Sequence, residues 1–311
     1  MKLLFFIFLV ATLPILSNST GYTSYQKAYS IEKKYPLLSI PLYENALLHP
    51  LKKEIRETIT ARLVFLYDKS RKYPEFFHLT EKYPATISRK TTQAVRKKIA
   101  ENIGISTELL EKLVSEKTRD NPEEISAILS ENSAQKGLHY FILSSLLFRQ
   151  KYDILEKIYS NPGINSIFPE NRLIFLLKSD DSRFYKILYQ HTSSPELSAR
   201  DKAVYLYLYA MKLRNRGKYL SSSRYFLMSH SYNKELNGQK EACKSLIASG
   251  RYQEACELHS GSSALPSDSD LLLDLFCSGK LKKDFRLLQD TLQIYAQREN
   301  FRFYKNLSTA Y

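Results

Sequence analysis

The stretch Ala203–Lys234 has the sequence AVYLYLYAMKLRNRGKYLSSSRYFLMSHSYNK, with a single glycine, Gly217, near its middle. Apolar side chains recur every three or four residues on both sides of this glycine, which is typical of two amphipathic helices joined by a tight turn. One helical hairpin cannot bury its own apolar faces, so neighbouring hairpins are needed to cover them. The stretch therefore predicts an all-α fold of stacked hairpins.

The composition of the 311-residue chain agrees with a helical fold. Glycine occurs only 9 times and tryptophan not at all, while 23 Tyr and 16 Phe supply large side chains for a core. Runs of alternating apolar and polar residues bounded by Asn-Gly or Asp-Gly turns are lacking, so the sequence carries little signal for strands.

Similar hairpins are predicted before and after the central stretch. Tyr152, Tyr185, Tyr219 and Tyr252, each near a predicted turn, are separated by 33, 34 and 33 residues. A looser unit follows, with Gly279 at its turn. A constant period of this length indicates a repeat architecture in which each unit is one helical hairpin.

The central stretch resembles the tetratricopeptide repeat, whose pattern sets small residues where two helices touch and large ones around them. Ala210 occupies the small position of the first helix, and Ser222, Phe226 and Ser229 occupy the small, aromatic and small positions of the second. The resemblance covers about half of the chain. It implies an α-solenoid of antiparallel helical hairpins, forming a right-handed superhelix that binds a partner through its concave face.

Helix signals before this array are less regular. The apolar positions between Leu51 and Tyr67 predict one helix, and a second is predicted around Pro74–Glu81. Gly104 is placed to end a helix in the left-handed conformation, and Asn121 to cap the next one. We therefore predict irregular helical hairpins over residues 20–132 and a repeat array over residues 133–311, which ends in a capping helix.

Prolines divide the first part of the chain. Pro36, Pro41 and Pro50 lie close together, and proline disrupts a helix interior because it lacks an N–H and its ring clashes with the preceding turn. Short helices are therefore expected between residues 25 and 50.

The N-terminus has the three regions of a secretory signal peptide, with Lys2, the apolar run Leu3–Leu16 and a small polar segment. Cleavage after Ser19 is predicted, so residues 1–19 would be removed and the chain exported to the periplasm or secreted. The apolar run is short for a membrane span, and the alternatives to a cleaved signal are an uncleaved membrane anchor and an ordinary buried helix. No cysteine follows the run, which argues against a lipoprotein. We expect no stable membrane span after cleavage.

The formal net charge is +14. Lys2 is the one charged residue in the leader, so almost all of this charge lies in the rest of the chain. Such a field favours anionic partners, although lysines that solvate helix surfaces are the alternative explanation. Because the leader predicts export, nucleic acid is not expected as a partner. An acidic protein or peptide, an anionic cell-wall polymer and an anionic membrane surface are the favoured classes.

The cysteines are Cys243, Cys256 and Cys277, and their spacing matches no metal-site pattern. In an oxidising compartment Cys243 and Cys256 could bridge the two helices of one hairpin. The alternative is that they are small buried residues at close helix contacts.

Sequence patterns of the common enzyme classes are lacking, so we expect no enzymatic activity and no cofactor. There is no glycine-rich phosphate loop and no GxSxG motif. The histidines never fall at HxxxH or HExxH spacing, so a zinc site is not expected; they are His49, His78, His139, His191, His230 and His259.

An alternative function follows from a second resemblance. Soluble lytic transglycosylases are similar in placing an exported, basic helical superhelix before their catalytic domain. The catalytic Glu of that family precedes Ser, and this chain has no Glu-Ser dipeptide. The chain could therefore be a cell-wall (peptidoglycan)-binding module related to the non-catalytic part of those enzymes.

The main hypothesis is a non-enzymatic scaffold for protein interactions at the cell envelope. In such arrays the first helices of successive hairpins line the concave groove. Cationic side chains there would meet carboxylates of a partner, and aromatic and thioether groups would add apolar contact. The candidate groove residues are Tyr207, Met211, Arg214, Asn215, Lys240 and Lys244.

Overall fold

The computed structural model describes residues 20–193, 197–259 and 267–311. The predicted signal peptide, residues 1–19, lies outside this range. Every regular element in the described part is a helix, so the all-α prediction is confirmed. The helices are α1 (20–32), α2 (Pro36–Ala46), α3 (Lys53–Ser70), α4 (Tyr73–Lys82), α5 (Arg89–Ile103), α6 (Thr107–Val114), α7 (Pro122–Glu131), α8 (Lys136–Phe148), α9 (Tyr152–Tyr159), α10 (Pro162–Ile167), α11 (Pro169–Lys178), α12 (Arg183–Thr192), α13 (Ala199–Asn215), α14 (Tyr219–Tyr232), a 3-10 turn (Lys234–Leu236), α15 (Gly238–Ala248), α16 (Tyr252–Leu258), α17 (Asp268–Cys277), α18 (Lys280–Arg298) and α19 (Arg302–Thr309).

Contacts divide the chain into two compact units. Among the described residues, the first unit contains those up to Lys72, Leu79–Ser88 and 267–311. The second contains Tyr73–His78 and the described residues from Arg89 to His259. The boundaries predicted at residues 19 and 132 stay predictions.

In the first unit, α2 packs against α3 and α18, and α18 packs against α17 and α19. Asp284 of α18 accepts hydrogen bonds from the Lys34 ammonium at 2.7 Å and the Tyr35 hydroxyl at 2.5 Å. The Thr291 hydroxyl donates to the Leu38 carbonyl at 3.1 Å. These bonds join residues that lie far apart in sequence.

Pro41 lies inside α2 and does not end it. The expected interruption is therefore wrong at this position. The physical reason is burial, because α2 is buried almost continuously from Leu38 to Tyr43 and its packing compensates for the hydrogen bond that Pro41 cannot donate.

In the second unit, α11 packs against both α8 and α13, and α14 packs against both α13 and α15. The small and aromatic positions of the central stretch are buried, as expected: Ala210, Ser222, Phe226 and Ser229 are each 0% exposed. The Ser222 hydroxyl donates to the Ala210 carbonyl at 2.9 Å, whereas that of Ser229 donates to Ala203 at 2.7 Å. Small side chains thus let the α13 and α14 backbones approach closely.

Many helices of the described part end with the same backbone turn. After α13, the N–H of Lys218 bonds the Leu213 carbonyl at 2.9 Å and Gly217 has a positive φ of 72°, which is the Schellman pattern. Equivalent bonds end α3, α5, α8, α11 and α15. The left-handed position is Gly104 after α5, as predicted, but it is Gln150 after α8 and Asp180 after α11.

Tyr185 does not occupy the place that its spacing suggests. Tyr152, Tyr219 and Tyr252 are the first residues of their helices, whereas Tyr185 is the third residue of α12, which begins at Arg183. The turn before α12 has four residues, 179–182, one more than the turns before α9, α14 and α16. Aromatic spacing alone therefore misaligns this hairpin by two residues.

Gly238 begins α15 at a close contact with α14. A Cβ atom at this position would lie 2.5 Å from the Phe226 carbonyl oxygen and 3.1 Å from the His230 Cβ. Because no real Cβ tolerates a backbone oxygen at the shorter distance, the contact between α14 and α15 requires glycine here.

Candidate functional site

The six predicted groove residues lie on α13 and α15, which both pack against α14. Tyr207 and Arg214 pack on one buried ring: the Tyr207 centroid lies 5.0 Å from that of Phe226, and the Arg214 guanidinium lies 5.4 Å from it. Met211 packs against the buried cluster that contains this ring, together with Ala210 and Ala242. These side chains are half-buried and contribute to the contact between α13 and α14.

Glu241 joins the cations of α13 and α15. It accepts a hydrogen bond from Arg214 and another, of 2.6 Å, from the Lys244 ammonium. Burial alone would raise the pKa of Glu241, but the charges and hydrogen bonds of Lys244 and Arg214 outweigh it and lower this pKa from 4.5 to about 2. The carboxylate thus stays ionised at neutral pH.

The lysines of the predicted groove are buried, because Lys240 is 6% and Lys244 is 2% exposed. The Lys240 Nζ has no hydrogen-bond partner in the described part of the protein. Asn215, at the end of α13, is the exposed member of the six. As a partner-binding surface the groove stays a prediction, and two of its cations already hold a carboxylate of the same chain.

Sequence reasoning missed Glu241, although a signal was present. Glu241 lies three residues before Lys244, a spacing that places both side chains on one helix face. Its contact with Arg214 joins two helices and could not be read from local spacing.

Tyrosine rings form a second feature of the second unit, across α12, α13 and α14. The ring centroid of Tyr209 lies 6.2 Å from that of Tyr185 and 4.7 Å from that of Tyr225. The Arg216 guanidinium lies 4.9 Å from the Tyr185 centroid. We call the surface formed by these residues and two exposed neighbours the tyrosine face: Tyr185, Tyr189, Tyr209, Arg216, Tyr225 and Met228.

Tyr185, Tyr209 and Tyr225 form a ladder of rings. The two exposed neighbours, Tyr189 and Met228, lie beside the ends of this ladder on α12 and α14. Tyr189 lies one turn after Tyr185 on α12 and is 73% exposed, and Met228 lies one turn after Tyr225 on α14 and is 47% exposed. The sequence placed Tyr185 near a predicted turn. The spacing of four residues between Tyr185 and Tyr189 was the available signal.

Cys243 is a free, buried thiol, so the bridge considered between Cys243 and Cys256 does not form. Burial raises the pKa of Cys243 to about 12, which keeps the thiol protonated. Cys256 and Cys277 are disulfide-bonded. The alternative expectation, a small buried residue at a helix contact, holds for Cys243.

Within the described residues, no group of three or more His, Cys, Asp or Glu side chains is arranged to hold a metal ion. None of the helices in the same residue ranges is long and apolar enough to cross a membrane.

Comparison with known proteins gives no match: no protein-family model, no curated protein and no solved structure is significantly similar to this chain.

Proposed function

We propose that the chain is an exported, non-enzymatic scaffold that binds a partner protein at the cell envelope. The observation that carries this proposal is the tyrosine face, on which a ladder of rings is flanked by exposed Tyr189 and Met228. Contiguous patches of exposed apolar side chains mark interaction sites more often than isolated ones do, and aromatic, Met and Arg side chains are enriched at protein interfaces.

The packing of the hairpins supports a repeat architecture for this scaffold. Helices α8, α11 and α13 are in successive contact and are the first helices of three hairpins, and the same turn ends each of them. A TPR-like, right-handed array would extend this arrangement and present neighbouring helices to one partner. The ladder spans α12, α13 and α14, so a partner there would contact two consecutive hairpins.

Two observations support export. The leader of residues 1–19 has the composition of a signal peptide. Cys256 and Cys277 are disulfide-bonded, and disulfides persist mainly in oxidising compartments. Cell fractionation and N-terminal sequencing of the mature protein would test this part, and a chain that retains Met1 in the cytoplasm would contradict it.

Site-specific photo-crosslinking tests the scaffold in intact cells. A photoreactive phenylalanine analogue at Tyr189 should yield a crosslink to one defined partner, identified by mass spectrometry. The same analogue at Lys157, an exposed position on α9, is the matched control. Replacing Met228 by Ala should reduce the yield at Tyr189 without unfolding the protein. Equal yields at Tyr189 and Lys157 would refute the assignment of the tyrosine face.

The net charge of +14 favours a second candidate, binding to an anionic cell-wall polymer. Sedimentation with purified peptidoglycan should then deplete the protein from solution at low salt and less so at moderate salt, because salt screens surface charges. A protein that stays in the supernatant at low salt would exclude this candidate and leave the partner-protein proposal standing.

A further inference from the structure

A cavity of about 420 Å³ lies in the second unit, where α8, α11 and α13 begin. It is independent of the tyrosine face and falls within the range of about 300–1,000 Å³ that small-molecule sites occupy. Three elements supply its walls because α11 packs against both α8 and α13. The lining residues used below are Lys136, Phe168, Glu170, Arg200, Asp201 and Tyr205.

The rings of Phe168 and Tyr205 line the cavity, and each packs against a histidine ring. The Phe168 centroid lies 4.7 Å from that of His139, with the rings edge to face. The Tyr205 ring stacks on His191 at 5.5 Å, and Tyr205 is 6% exposed. Fixed rings form a preorganised apolar surface, which reduces the entropy lost when a ligand binds.

Both signs of charge are present around these rings. Glu170 lies in the first turn of α11, and Asp201 lies in the first turn of α13. Burial first, then the negative charges of Asp201 and Glu170, raise the pKa of Tyr205 to about 12. The Tyr205 hydroxyl is therefore protonated at neutral pH, and the carboxylates lie near enough to influence it.

The positive charges come from Lys136 and Arg200. The Lys136 ammonium lies 3.5 Å from Glu170, a loose ion pair between an exposed lysine and a half-buried carboxylate, which leaves the carboxylate able to accept a second donor. Arg200 is exposed in the first turn of α13, where the backbone N–H groups also favour an anion. A purely anionic ligand would meet two carboxylates, and a purely cationic one would meet Lys136 and Arg200.

We propose that this cavity binds a short peptide with free ends, its carboxylate on Arg200 and its ammonium group on Glu170 and Asp201. A zwitterion satisfies both signs of charge at once. Its apolar side chain lies against Phe168 and Tyr205. The guanidinium of Arg200 can hold the carboxylate with two parallel hydrogen bonds.

Calorimetric titration of the purified protein with the dipeptide alanyl-phenylalanine tests the proposal. The dipeptide should bind, and either N-acetylation or C-amidation should weaken binding by about 10- to 100-fold, since each removes a charge-assisted contact. Absence of binding by the free dipeptide, or equal binding of the N-acetylated form, would overturn the proposal.

Two variants assign the ends of the ligand. Arg200→Gln should weaken dipeptide binding and abolish the discrimination against the amide, whereas Glu170→Gln should reduce the discrimination against the acetylated form. Lys202→Gln, at an exposed position of α13 outside the cavity lining, is the matched control and should bind as the unmodified protein does. Unchanged discrimination in both cavity variants, with thermal unfolding like that of the control, would refute the assignment.

Discussion

Replacing Glu241 by Gln should destabilise the second unit by about 3 kcal/mol at pH 7. The variant keeps the shape of the side chain but removes the negative charge that Arg214 and Lys244 contact. The pKa of Glu241 is lowered from 4.5 to about 2 in the folded protein, and each unit corresponds to about 1.4 kcal/mol. The same magnitude, about 3–5 kcal/mol, is typical when one partner of a buried ion pair is removed.

The stability difference between the unmodified protein and Glu241→Gln should depend on pH. Because the folded-state pKa lies below the unfolded value, the stabilisation by Glu241 is present above about pH 4.5 and is lost as the pH falls towards about 2. The difference in unfolding free energy between the unmodified protein and Glu241→Gln should therefore shrink from about 3 kcal/mol at pH 7 towards zero near pH 2.

Urea denaturation followed by circular dichroism at several pH values measures this difference. Glu254→Gln is the matched control, because Glu254 pairs with Arg251 in an exposed position where both side chains are more than half exposed. The control should change stability by less than about 1 kcal/mol. A loss of under about 1 kcal/mol for Glu241→Gln at pH 7, or a loss that does not depend on pH, would refute the reasoning.

Other features of the fold give further predictions. Phe226→Ala should reduce the free energy of unfolding by about 3–5 kcal/mol, measured by urea denaturation, since the ring is fully buried between helices. Gln150→Gly should raise it by up to about 1 kcal/mol in the same assay, because Gln150 holds a left-handed conformation with φ of 57° that glycine adopts without strain. Cys243 should be the single thiol that reacts with a disulfide reagent in the unreduced protein, and it should react only after denaturation because it is buried and protonated.

Features governed by local rules were predictable from the sequence. Gly104 ends α5 in the left-handed conformation, and the Asn121 side chain accepts hydrogen bonds from the N–H groups of Glu123 and Glu124 at the start of α7. Each of these depends on residues within one turn of the helix. The burial of Phe226 was expected from the resemblance to the tetratricopeptide repeat, which gives this residue the large aromatic position of the second helix.

Features governed by tertiary contacts were not predictable in this way. Pro41 remains inside a helix because burial outweighs its local effect. Lys244 is buried beside a carboxylate, although its type and spacing indicate a solvated position. The cavity near Tyr205 is lined by residues from α8, α11 and α13. Lys136, Glu170 and Arg200 lie at least 30 residues apart in the sequence. No single helix pattern contains that information.

The glycine that begins α15 limits how helices can be added to the chain after α14. Since a Cβ there would meet the Phe226 carbonyl, the hairpin α13–α14 accepts a following hairpin only if the next helix starts with glycine. A longer protein made by duplicating α13 and α14 would therefore have to place a glycine at the first residue of the helix that follows each copy. The close approach of α15 to α14 is therefore possible because glycine has no Cβ atom.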